Sequence, residues 1–269
     1  MKEQPLFFPS QDYDLFGMLH LPEQSNQKGF VFCHPFAEEK LWAHRVYVSF
    51  ARELVKQGYT VLRFDMKGCG DSQGYFEEVV LDNWLNDINA AIDYLSSTVQ
   101  GLSEVGLFGL RFGATLALAA AQYNDKIQKL ILWEPILDGA RYMQEILRSN
   151  LSTQLAVYGK VTKNREALVA DMEAGVPVNF DGYELTHELY TQIGKMAFND
   201  LSAWAKKPIL VVQVGKPDQP VKKGLLEFCK TSPACHVVNA AEEPFWREIK
   251  QYYARANNLF SVTLQEMSC

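Results

Sequence analysis

The chain has 269 residues, with 26 Lys and Arg against 32 Asp and Glu, for a net charge of −6 with histidine neutral. Its 48% hydrophobic and 22% charged content is ordinary globular usage, with enough apolar mass for a sizeable core and no signature of disorder. A mildly acidic balance without a long basic run excludes the bulk electrostatics of a protein that coats nucleic acid or an anionic membrane.

PLFFP and DLFGMLHLP, separated by the polar SQDYD, read as an antiparallel hairpin at the start of the chain. GFVFC then forms a short apolar run ending at His34, which suits a strand buried on both faces. Val46, Phe50 and Leu54 recur every four residues and Gly58 closes the helix they define. Tyr59–Asp65 is the next strand, leading into the glycine-rich turn KGCGDSQG. Leu81, Trp84, Leu85, Ile88, Ile92 and Leu95 line one face of a long helix. Val105–Gly109 is a strand, ATLALAAAQ a small-residue helix, and Lys129–Trp133 another strand. From about Ile136 to Trp204 helical periods dominate, interrupted by Gly175–Leu185; Pro208–Val214 then restores the strand pattern, followed by a helix and the strand CHVVN. Repeated alternation of strand and helix predicts an α/β fold, a mostly parallel sheet with helices on both faces. Residues 1–135 and 205–269 form its core, and 136–204 form a helical insertion over the strand ends, where lids sit.

Cys33, Cys69, Cys229, Cys235 and Cys269 form no Cys-x-x-Cys pair, which argues against a disulfide scaffold or a zinc ribbon and suits a reducing cytosol. MKEQPLFFPSQDYD lacks the apolar core of a signal peptide, and no run reaches the roughly 18 apolar residues of a transmembrane helix. A cytoplasmic protein without a membrane span is expected.

The most informative string is VGLFGLRFG followed by ATLALA. A strand, a G-x-x-x-G turn and a small-residue helix in succession are the setting of a nucleophile elbow, G-x-S-x-G. The middle position holds Arg111 instead of serine. His34-Pro35-Phe36 falls where an oxyanion-hole loop belongs, Asp65–Ser72 follows its strand like the D-x-x-G-x-G-x-S turn of many esterases, and Asp218 in VGKPDQPV falls where a triad acid sits.

On these motifs the whole chain resembles the α/β-hydrolase superfamily, in its serine-aminopeptidase-like branch. PFAEEK, GCGDSQG, GLRFGA, VNFDGYEL and EEPFW further resemble the hydrolases associated with exosortase systems, second type. The resemblance implies an esterase or acyl-hydrolase ancestry and a link to exopolysaccharide production. Fold by itself establishes no catalysis.

Two departures decide the functional expectation. A guanidinium stays protonated and offers no lone pair, so Arg111 cannot attack a carbonyl. In the segment that should carry the catalytic histidine, Glu242-Glu243-Pro244-Phe245-Trp246, proline holds that place. His34 and His236 are committed to the early loop and the last strand, and His20, His44 and His187 fit no triad position. Only Asp218 remains of the triad, so conventional Ser-His-Asp catalysis is not expected. The oxyanion donors would be the N–H groups of Phe36 and Phe112, and Arg111 would add a fixed positive charge at a helix N-terminus.

The alternatives are weighed on the same residues. Glu38, Glu39, Glu134, Asp218 and Glu243 all follow strands and could neutralise Arg111 as plain salt-bridge partners. A metal site is disfavoured, since a central arginine repels a cation and no ligand spacing supports one; no cofactor is expected. Cys69 as a substitute nucleophile would need His34 beside it, and a packed thiol is the simpler reading. His34 is expected to orient its loop by hydrogen bonding, and Asp71 and Ser72 to fix their turn. Trp42, Phe36, Phe112 and Phe245 could line an apolar pocket. Three functions follow: a degenerate site binding a small acyl or anionic molecule; a hydrolase using water activated by Glu38, Glu39 or Glu243 with Arg111 as electrophile; or a non-catalytic partner protein, as a homo-oligomer or with an exopolysaccharide-pathway component.

Overall fold

The computed structural model describes residues 1–199, 201, 204, 206–247 and 253–267. Cys269 and the expected insertion boundary at residue 205 lie outside them. Strands β1 (Lys2–Ser10), β2 (Tyr13–Leu21), β3 (Lys28–Cys33), β4 (Thr60–Phe64), β5 (Glu104–Leu110), β6 (Ile127–Trp133), β9 (Ile209–Gly215) and β10 (Cys235–Ala241) form one eight-stranded sheet in the order β1-β2-β4-β3-β5-β6-β9-β10. The β1–β2 hairpin and the β2–β4 pair are antiparallel, and the six strands from β4 to β10 run parallel. The predicted strands are all present.

Strand alternation divides the core. In β3, Val31 and Cys33 face one apolar cluster while Phe30 and Phe32 face the other. Helices α1 (Glu38–Lys56) and α8 (Asn257–Met267) cover the Phe30/Phe32 face, where Phe32, Phe50, Phe108, Trp133 and Phe260 pack ring to ring. Helices α2 (Leu81–Thr98) and α3 (Phe112–Gln122) cover the opposite face. The stripe predicted on α1 is fully buried, and so is that on α2 from Trp84 to Leu95, with Leu81 and Leu85 at its partly buried edge. Helix α7 (Lys223–Lys230) connects β9 to β10, and Cys229 at its end is joined to Cys235 of β10. Six residues of spacing concealed that local disulfide from a search for Cys-x-x-Cys pairs.

Between β6 and β9 lie α4 (Gly139–Tyr158), α5 (Arg165–Glu173), a hairpin of β7 (Val178–Phe180) and β8 (Tyr183–Leu185), and α6 (His187–Gly194). The hairpin was not foreseen. Its signal is Asp181-Gly182, both at positive φ (48° and 93°), the pair favoured in a two-residue hairpin turn.

Because β4 and β5 lie on opposite sides of β3, the chain leaves β3 and β5 in diverging directions. That divergence opens a crevice at the strands' carboxyl ends, where α/β sheets bind ligands.

Buried polar groups knit the antiparallel edge. Asp87 accepts from Ser10 Oγ (2.7 Å), Tyr13 OH (2.8 Å) and Lys67 N (2.8 Å). His20, with no exposed surface, accepts at Nε2 from Arg63 Nε (3.0 Å), which leaves the proton on Nδ1, 3.2 Å from Glu3 Oε1. Burial, then the Arg63 charge, push its pKa down to about 4. The unfolded chain, with His near its ordinary value, takes up this proton first as pH falls. Stability is therefore lost between about pH 6.5 and pH 4, on the order of 3 kcal/mol from this residue. Urea unfolding across that range is expected to show a smaller acid-induced loss in His20→Gln than in wild type. His34 and His44, also shifted down by burial, supply the slope common to both.

Candidate active site

Arg111 ends β5 and caps α3 with φ 55° and ψ −123°. That region is costly for a side-chain-bearing residue, about 1–3 kcal/mol, and persists where the surroundings enforce it. The glycines on either side enforce it here. A Cβ on Gly113 would collide with the carbonyls of Cys33 and His34, and one on Gly109 would stand 2.5 Å from Ala114 N. Ala37, capping α1 after β3, adopts nearly the same angles (φ 47°, ψ −128°). The sharp elbow is thus retained with a cation at its tip.

The guanidinium is clamped. Arg111 Nε donates to Glu39 Oε1 (3.0 Å), and Nη2 stands 3.7 Å from Glu145 Oε2. Tyr142 donates its hydroxyl to Glu39 Oε2 (3.0 Å). The Arg111 charge lies 5.5 Å from the Tyr142 ring centre and 5.6 Å from that of Trp246, within cation–π range. Arg111 and Glu39 are 15% and 16% exposed. Burial pushes the Glu39 carboxyl up, partly offset by Arg111 and Tyr142. Burial opposes the Arg111 charge, but Glu39 and its neighbours hold its pKa above the ordinary value.

Two clefts meet at Arg111. One, about 580 Å³, is lined by Arg111, Glu134, Lys216, Lys222, Glu243 and Pro244 among others; the second, about 490 Å³, by Glu38, Glu39, Trp42, Tyr142, Phe180 and Asp181 among others. Arg111, Glu145, Trp246 and Arg247 border both.

The expected site residues divide accordingly. Glu39 is the direct partner of Arg111. Glu38 lines the second cleft, its carboxyl pushed up by burial and by nearby Asp181. Glu134 lines the first cleft at φ 44°, accepting from Val214 N (2.9 Å) and pairing with Lys222. Glu243 is exposed in the same cleft. Asp218 is exposed in the loop after β9, at φ 55°, and lines neither cleft.

Phe36 and Phe112 are buried edge to face, 5.9 Å between rings. Phe180 stacks on Phe36 and Tyr142 on Phe112, and of the expected aromatic lining only Trp42 faces a cleft. Phe245 belongs to the α1/α8 side of the core. His34 departs from expectation. Its buried ring stacks on Tyr47 at 4.8 Å, and its Nδ1 has no hydrogen-bond partner among the described residues. None of the five histidines lines either cleft; His236 pairs with Glu266 on the far end of the sheet. Burial pushes the Cys69 thiol up to about 12, which keeps it a thiol near neutral pH. In the glycine-rich turn, Ser72 bridges Phe16 N and the Asp65 carbonyl, and it is Asp65, not Asp71, that accepts the turn's N–H. Among the described residues no group of His, Cys, Asp and Glu could hold a metal ion.

Tyr142, Glu145, Trp246 and Arg247 were missed. Tyr142 and Glu145, three apart on α4, lay within a segment read only as insertion. Trp246 and Arg247 follow the last strand, in and just after the segment where proline replaces the expected histidine.

Residues 24–184 match the family described as serine aminopeptidase, S33. The chain belongs to that family. Over 102 residues it is 31% identical to uncharacterized protein RP471 of Rickettsia prowazekii (strain Madrid E), covering 38% of this chain and 42% of that protein. Over 119 residues it is 29% identical to the quorum-quenching protein AidA of Acinetobacter baumannii (strain MDR-ZJ06), covering 44% and 38%. The matches thus span less than half the length of these curated relatives. Solved structures share the fold across nearly the whole chain. Ferulic-acid-bound Est1E from Butyrivibrio proteoclasticus has a TM-score of 0.68 at 20% identity, covering 98% of both chains. An alpha-beta serine hydrolase homologue from Coxiella burnetii has 0.61 at 16% identity, covering 99% of this chain and 98% of that one. The fold is that of an α/β-hydrolase.

Proposed function

We propose that this S33-family protein is an esterase-like α/β-hydrolase in which the nucleophile position has become an anion-binding one. Its ligand is a small acyl or other carboxylate-bearing molecule held by Arg111. The observation that carries the reading is Arg111 itself: an elbow-tip guanidinium bordering two clefts, with Nε the atom committed to Glu39. The Nη groups make no hydrogen bond among the described residues, with Glu145 Oε2 3.7 Å from Nη2, so their hydrogens are available to a carboxylate that displaces Glu145, in the bidentate geometry that arginine favours. In this reading 136–204 acts as the lid.

Titration calorimetry with short-chain carboxylates and with phosphate tests it. Binding is expected to weaken about 10- to 100-fold in Arg111→Ala, the loss for a charge-assisted hydrogen bond. The same loss in Arg111→Met/Glu39→Gln, which leaves no buried carboxylate behind, separates binding from folding. Equal affinity in all three proteins dismisses the role.

A second reading, hydrolysis by activated water, is favoured by the raised Glu38 carboxyl in the second cleft. Glu39 fits it less well, since both of its oxygens already accept hydrogen bonds. Turnover of esters, thioesters or lactones that disappears in Glu38→Gln would establish it. The strings that resemble exosortase-associated hydrolases of the second type support a finer placement: a cytoplasmic pseudoenzyme serving exopolysaccharide production, as a homo-oligomer or with a partner from that pathway.

A further inference from the structure

Helix α4 connects the second cleft to an exposed apolar tip. Glu145, Ser149 and Thr153 line that cleft. They are spaced four apart, so they form one row along the helix, and the next member of the row is Val157. Val157 is 65% exposed, and around it Leu155, Tyr158 and Val161 are 56%, 65% and 49% exposed. From Thr153 to Tyr158 the helix rises only about 8 Å, so these exposed apolar side chains ring the end of α4 within about two turns of the cleft lining.

The tip is ordered. Gly159 ends α4 in the left-handed conformation. The buried Gln154 then ties the following loop back to the helix, its Oε1 accepting from Thr162 N, Thr162 Oγ1 and Lys163 N, and its Nε2 donating to the Lys163 carbonyl. The buried glutamine thus fixes the loop that carries the exposed Val161.

The charge around the tip contrasts with the chain as a whole. Between positions 148 and 165 stand Arg148, Lys160, Lys163 and Arg165 and no acidic residue, in a protein of net charge −6. Lys163 is paired with Asp171 and Arg165 donates to Gln144. Arg148 and Lys160 are exposed and make no ion pair among the described residues. The acids on the adjoining elements include Asp171 and the exposed Glu166 of α5, the first paired with Lys163, and Asp181 of the hairpin turn, which accepts from Thr153 one turn before the tip.

We propose that this tip is an interfacial docking surface for an anionic lipid bilayer. Leu155, Val157, Tyr158 and Val161 would enter the headgroup boundary while Arg148 and Lys160 meet lipid phosphates, with the second cleft opening beside the membrane. Exposed aliphatic side chains with an amphipathic tyrosine and flanking cations are the composition of interfacial anchors. The surface is local, which reconciles it with an acidic protein, and among the described residues no helix is long and apolar enough to cross a membrane. The inference does not depend on what Arg111 holds.

Vesicle co-sedimentation of the full chain decides the matter, with vesicles of phosphatidylcholine alone or mixed with phosphatidylglycerol. Wild type is expected to partition onto the mixed vesicles, more weakly as salt rises, and to ignore the neutral ones. Each cation removed is expected to cost about fivefold, so Arg148→Gln/Lys160→Gln should bind about 25-fold more weakly. Val157→Ser/Tyr158→Ser should lose binding at unchanged charge. All four substituted positions are exposed, and an unchanged melting temperature confirms that the variants fold. Wild type that stays in solution with both vesicle types overturns the proposal, as does equal partitioning of all three proteins. Concentration-dependent dimerisation that Val157→Ser/Tyr158→Ser abolishes, without vesicle binding by wild type, assigns the surface to a second copy instead and overturns it too.

Discussion

Replacing Arg111 with alanine is expected to destabilise the protein by about 3–5 kcal/mol, measured by urea unfolding at neutral pH. The cause is the group left behind. Glu39 is largely buried, with one oxygen on Arg111 and the other on Tyr142. Breaking a largely buried pair by removing one partner leaves an uncompensated charge, which costs that much. The pH dependence identifies the mechanism. Burial already pushes the Glu39 carboxyl up, and without Arg111 it moves further up. A carboxylate whose folded pKa exceeds its unfolded value loses stability as pH rises between the two. The penalty should therefore be small near pH 4.5 and largest at neutral pH. Arg111→Met/Glu39→Gln should recover most of the loss, since no charge is then buried alone. Glycine at the same position should be about 1 kcal/mol less harmful than alanine, because it releases the strain at φ 55°. A pH-independent loss of under 1 kcal/mol would show that the pair is not coupled.

Gly113→Ala is expected to cost about 3 kcal/mol or more and to lower the melting temperature by roughly 6–12 °C. The new Cβ meets backbone, the Cys33 carbonyl and the carbon and oxygen of His34. No rotamer change relieves that contact. Helix α3 must move off β3, pulling on Phe112, which packs against Phe36 and Tyr142. The same substitution at Gly175, where a Cβ would meet nothing within 4 Å, carries only the strain of its positive φ and serves as the control. Near-equal melting temperatures for the two variants would mean that the elbow can relax without cost.

The sheet was legible because its strands are short apolar runs separated by helical periods, and Val31, Phe50 and Trp84 sit where those periods put them. The elbow was legible because Gly109 and Gly113 leave little else that a strand-to-helix turn of this shape can be. Local periodicity does not report which carboxylate reaches Arg111. Glu38, Glu39, Glu134, Asp218 and Glu243 look alike in the chain, and a rotation of one residue along the start of α1 decides that Glu39 pairs with the arginine while Glu38, which lines the same cleft, does not. Tyr142 and Trp246 were illegible for a related reason. An aromatic ring under a guanidinium depends on how α4 and the segment after β10 are folded over the sheet, a long-range outcome with no short-range pattern. Asp87 shows the same limit within a legible helix: its place on the apolar face of α2 gave no hint of Ser10, Tyr13 and Lys67 around it.

The central claim is that a cation at the tip of the elbow holds a ligand where another protein of this fold would attack one. A crystal structure of the protein soaked in a short-chain carboxylate tests that most directly. The account predicts carboxylate oxygens within about 3 Å of the Arg111 Nη atoms, in one of the two clefts that Arg111 borders, with Nε still on Glu39. A ligand bound covalently to a serine or cysteine, or a carboxylate seated away from Arg111 altogether, would contradict it.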